Sequence, residues 1–180
     1  VGGNKMNKKY SPESLLNELY KNGVLVQKYP IDLNKICEYF NITVSEKAYS
    51  DQTIGEIHVS DSEYSIFYNP IENKYESRKR FTIAHELGHY FLHRDKGSFV
   101  DNQATMSRHL SYWSLVEAEA NDFAARLLMP VDHILDAINE LLENEIEELS
   151  ETSLVNYLKD KFKVSETAMK YRLSNLGILQ

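Results

Sequence analysis

The stretch Arg80-Phe81-Thr82-Ile83-Ala84-His85-Glu86-Leu87-Gly88-His89-Tyr90-Phe91-Leu92-His93 decides how this chain is read. From about Ser77 to His93 its pattern is helical. On a helix, residues four apart share a face and lie about 6 Å apart along the axis. Two imidazoles at the spacing of His85 and His89 can converge on one zinc ion. Glu86 stands beside the first of them, where its carboxylate can reach a water on the ion without ligating the metal. That is the apparatus of peptide hydrolysis, with Glu86 as general base. The flanks, Thr82-Ile83-Ala84 and Tyr90-Phe91-Leu92, are uncharged and mostly apolar, as a helix buried beneath a cleft requires. Gly88 costs a helix interior about 1 kcal/mol relative to alanine, which makes sense if something approaches the backbone there.

A catalytic zinc takes a third protein ligand and keeps one position open. His93 lies four residues beyond His89, but positions i, i+4 and i+8 span about 12 Å, too far for bonds of about 2 Å to one ion. His93 is therefore read as a helix-end or cleft-lining residue. The better source is Glu117-Ala118-Glu119-Ala120-Asn121-Asp122-Phe123-Ala124-Ala125. Its small alanines let a second helix, about Tyr112 to Met129, lie close against the first. Glu117 and Asn121 share a face one turn apart, so one can bind zinc while the other hydrogen-bonds a ligating histidine. Glu119 points about 160° away from that face and reads as a solvated carboxylate. Tyr90, His109 and Tyr112 are the candidates for an electrophile that steadies the tetrahedral oxyanion.

Working outward, residues 11–22 read as a helix, with Ser11 as cap, Pro12 in the first turn and Gly23 at the exit. Asp32 caps a short helix, 33–40, in which Cys37 is a small core residue. Ile42 to Val44 is a candidate strand. Thr53–Val59 and Tyr64–Tyr68 are two β-rich runs separated by Ser60-Asp61-Ser62-Glu63, a hairpin pattern; Asn69-Pro70 ends the second. Residues 94 to 107 read as a polar loop. After Pro130, residues 131–149 form an acidic amphipathic helix, and two short helices follow at about 152–162 and 165–175, with Ser165 as cap. The expected fold is α+β: a small antiparallel sheet packed on a helical core, residues 1–130, and a C-terminal helical segment, residues 131–180. The run Glu63–Tyr68, through Ser65, Ile66 and Phe67, is expected to offer a sheet edge on which substrate adds as a strand.

Composition bounds the function. The chain has 180 residues, 42% hydrophobic and 26% charged, as a soluble globular protein has. Its net charge of −7 argues against a broad nucleic-acid-binding face. Residues 151–180 carry five Lys/Arg and three Asp/Glu, a local +2 in a pattern like a small helix-turn-helix. The neighbouring acidic stretch 140–151 opposes contact with DNA, so these helices are read as a cap on the core or a docking surface. The single cysteine excludes an internal disulfide. No stretch has the length of a membrane span, and the polar N-terminus lacks a signal-peptide pattern; a cytoplasmic protein is expected.

The segments Arg80–His93 and Glu117-Ala118-Glu119-Ala120-Asn121-Asp122-Phe123-Ala124-Ala125-Arg126-Leu127-Leu128-Met129-Pro130 resemble the ImmA/IrrE family of metallopeptidases. So do Val164–Met169 with Arg172-Leu173, and the hairpin leading into Asn69-Pro70. The resemblance implies one zinc ion held by His85, His89 and an acid that by position is Glu117. It implies a gluzincin-like fold with a short sheet beside the active helix. It implies a protein substrate of the helix-turn-helix repressor type. The alternative it leaves open is a protein that binds and sequesters such a repressor without hydrolysis, or a toxin–antitoxin-type partner.

Overall fold

The computed structural model describes residues 9–60, 63–102, 112–143 and 150–179. The helices are α1 (Pro12–Lys21), α2 (Leu33–Tyr39), α3 (Glu76–His93), α4 (Tyr112–Leu128), α5 (Val131–Leu142), α6 (Glu151–Phe162) and α7 (Glu166–Asn175). The strands are β1 (Ile42–Glu46), β2 (Thr53–Ser60), β3 (Glu63–Tyr68) and β4 (Phe99–Asn102). The fold is α+β. The caps lie where the sequence puts them: Ser11 Oγ accepts from Ser14 N at 3.2 Å, Asp32 Oδ1 from Lys35 N at 3.2 Å and Ser165 Oγ from Ala168 N at 3.2 Å. Gly23 leaves α1 at φ +68°, a conformation that costs glycine nothing. Residues 61–62, in the expected turn, and 144–149, in the last part of the expected acidic helix, lie outside the described residues; α5 ends at Leu142.

The sheet has the order β1-β3-β2-β4 and is mixed. β2 pairs antiparallel with both β3 and β4, while β1 pairs parallel with β3. The departure from a purely antiparallel sheet has a topological cause. The chain leaving β1 does not turn back beside it, and β3 enters between β1 and β2. The four-residue β4 lies within the expected polar loop, too short to give a periodic signal.

The order also overturns the expected substrate edge. Ser65, Ile66 and Phe67 sit opposite Thr43, Val44 and Ser45 on one side and His58, Ile57 and Glu56 on the other. A strand paired on both sides has no free ladder to offer. Among the described residues, β1 and β4 are the outer strands.

α3 runs beneath this sheet and α4 packs along it. A Cβ at Gly88 would stand 3.0 Å from Ala120 Cα and 3.0 Å from Ala120 O, so glycine is what lets the two backbones meet. A Cβ at Gly55 of β2 would stand 2.6 Å from Thr82 Cγ2 and 2.8 Å from Glu86 Oε1, so the strand too is pressed onto α3. Asn73 locks that contact: its Nδ2 donates to Ile54 O at 2.8 Å, and its Oδ1 accepts from Thr82 Oγ1 at 2.7 Å. On the far side of α3, Tyr10, Phe40, Phe91 and Phe123 form an aromatic cluster in edge and stacked contacts. The same hydrophobic cluster continues through Leu127 and Ile134 to Leu158, Phe162, Met169 and Leu173 of the C-terminal helices. Arg172 ties α7 to the end of α4, donating from Nε to Met129 O at 3.0 Å.

Candidate metal centre

α3 is buried from Thr82 to Phe91, and the polar residues of that stretch are buried with the rest: His85, Glu86 and His89 are each 0% exposed. Buried polar side chains must be matched by partners or ligands. Here the match is geometric. His85 Nε2 and His89 Nε2 lie 3.0 Å apart. Glu117 of α4 reaches both, with Oε2 3.2 Å from His85 Nε2 and Oε1 3.4 Å from His89 Nε2. The ligand atoms of the three residues all fall within 4.8 Å of one another. Tetrahedral bonds of about 2 Å separate neighbouring ligand atoms by about 3.3 Å, close to every separation in this group.

Hydrogen bonds behind the cluster fix which nitrogen of each imidazole faces it. Asn121 Oδ1 stands 3.0 Å from His85 Nδ1 and accepts its proton, leaving a lone pair on Nε2. Glu119 Oε2 stands 2.8 Å from His93 Nε2. A carboxylate only accepts, so neutral His93 carries its proton there and presents a bare Nδ1. That atom, 3.2 Å from His89 Nδ1, accepts from it and leaves His89 Nε2 as a lone pair too. Two imidazole lone pairs and a carboxylate aimed at one point repel each other unless a cation sits between them. The donor set, two nitrogens and one carboxylate oxygen, is one that suits zinc.

Glu86 lies under β2, its Oε1 close to Gly55. Tyr49, from the segment between β1 and β2, is near enough to feel its charge. Burial, together with the carboxylates of Glu56 and Glu86, holds the Tyr49 phenol well above the ordinary tyrosine range, so it remains a neutral donor at physiological pH. Phe99 of β4 stacks on His89 with ring centroids 4.3 Å apart and 11° between planes, closing the site on its strand side.

The structure thus brings together His85, His89, Glu117 and Asn121, with Glu86 buried on the same helix. It does not bring Tyr90. One residue past His89, its side chain leaves the metal face by about 100° and stands edge-on to Phe40, Tyr64 and Phe91. It is a core residue, not an electrophile at the site. His109 and the side chain of Tyr112 lie outside the described residues. The sequence reading undervalued His93 and Glu119, which act as a pair behind His89, and it missed Tyr49, Gly55 and Phe99. The repeat of histidine at 85, 89 and 93 was the available signal for the pair; Phe99 had none.

A helix pair that presents two histidines and a glutamate to one buried point is the metal-binding element of a metallopeptidase-type protein. The chain belongs to the Peptidase_M78 family: the domain described as IrrE N-terminal-like matches residues 37–174, which include every residue of the cluster. No curated protein matches the chain significantly.

Proposed function

We propose that this protein is a zinc-dependent endopeptidase that cleaves a protein substrate. The observation that carries the reading is the convergence of His85 Nε2, His89 Nε2 and Glu117 on one point, with the Glu86 carboxylate buried on the same helix. His85, His89 and Glu117 would hold the ion, and Asn121 would orient His85. A zinc ion bound there would supply Lewis acidity to a water and to the scissile carbonyl. Glu86 then takes the proton from the attacking water and delivers it to the leaving amine. β4, an outer strand whose Phe99 touches His89, is the edge along which an extended substrate would add. The resemblance noted in the sequence points to a helix-turn-helix repressor as the substrate.

Glu86→Gln tests the reading. It should keep one zinc per chain and lower turnover by roughly 10²–10⁴, the usual worth of a general base. If the variant keeps full biological activity, the protein acts by sequestering its partner and the peptidase reading is lost.

A further inference from the structure

A cleft of about 750 Å³ is lined in part by the C-terminal segment. It shares two residues with the metal cluster, Glu117 and Asn121, the latter bonded to His85. Its floor is apolar, with Phe81 of α3, Ala125 and Met129 facing Val164 and Ala168 of the C-terminal segment. Two exposed aromatics stand along its lining on opposite sides: Tyr75, 76% exposed, just before α3, and Tyr171, 60% exposed, on α7. Exposed aromatics beside an apolar concavity are a common mark of a recognition surface.

Charge selects the occupant further. Arg78 and Arg172 line the cleft against Glu117 and Asp122. Glu117 is committed to the metal, and Asp122 Oδ2 is held by Arg126 Nη1 at 2.9 Å. Arg126 is itself bound by Glu13, so the positive charge left at the cleft is chiefly that of the exposed Arg78, within a chain whose net charge is −7. α7 also turns its N-terminal end to the cleft through Ser165 and Thr167, and that end favours negative charge as well.

We infer that the cleft between α3, α4 and α7 receives the part of the protein substrate on one side of the cleaved bond, as a segment with a large apolar side chain next to an aspartate or glutamate. The inference rests on the reading of the metal centre as a peptidase site. It makes the C-terminal segment a determinant of specificity.

The test uses the full chain, zinc-loaded and carrying Glu86→Gln so that bound peptides survive, incubated with a randomised decapeptide library. Captured peptides are sequenced by mass spectrometry, and zinc content is measured in parallel. The inference expects enrichment of Phe or Leu beside Asp or Glu. Adding Arg78→Glu, an exposed position, should lower capture of acidic peptides at least tenfold and shift the preference to basic neighbours. Adding Ala168→Trp should remove the apolar preference, with one zinc per chain retained throughout. The same enriched set for all three proteins, or no enrichment by any, overturns the inference. The peptidase reading fails separately: if the chain with Glu86 intact cleaves none of the enriched peptides while Arg78→Glu still shifts capture, the cleft stands and hydrolysis falls.

Discussion

The two faces of α3 are buried to the same degree and built from opposite chemistry. One carries Ile83, Leu87, Tyr90 and Phe91 into an aromatic and aliphatic core. The other carries His85, Glu86 and His89 against α4 and β2, with His93 hydrogen-bonded behind them. The apolar face stabilises the fold by removing area from water. The polar face is costly to bury, and its histidines stand within reach of Glu117, Asn121 and one another. The contrast separates what holds the molecule together from what makes it act, within one helix.

That separation can be broken from either side. Phe91→Ala should cost about 3–5 kcal/mol of stability, read by denaturant unfolding, while the protein that remains folded still takes up zinc. A loss of zinc out of proportion to the loss of folded protein would mean that the faces are not independent. Gly88→Ala tests where they meet: the added methyl falls on Ala120 at 3.0 Å, and overpacking of this kind costs about 1–3 kcal/mol. Since it pushes α4 away, zinc affinity should drop with stability. An unchanged affinity would show that Glu117 follows the ion by side-chain movement alone. His93→Ala is the finest probe. It should leave the chain folded, at some cost in stability because the ring is buried, and weaken zinc binding by about 10–100-fold, measured by competition with a chelator. No change in affinity would reduce the Glu119–His93–His89 chain to a structural contact.

The same contrast explains how much was legible in the sequence. His85, Glu86 and His89 follow from spacing on one helix, and the closeness of α4 follows from Gly88 and the alanines around Ala120, because helix geometry is local. The Ser11, Asp32 and Ser165 caps are local for the same reason. The sheet order was not legible: placing β3 between β1 and β2 depends on how separated segments meet. That one error put the expected free edge at Ser65–Phe67, on a strand paired on both sides. Tyr90 was misplaced by a different route, since proximity in sequence to His89 says nothing about the 100° turn between them. The role of Glu119 escaped because its face points away from Glu117, although its carboxylate reaches His93 at the end of the neighbouring helix.

The central claim is that one divalent ion is gripped between α3 and α4. Metal analysis of the purified protein beside Glu117→Ala tests it most directly. The account predicts close to one zinc per chain in the parent, and little or none in a variant that folds with the same secondary structure. A folded parent free of metal after zinc loading, or a Glu117→Ala variant that holds zinc as tightly as the parent, would contradict it.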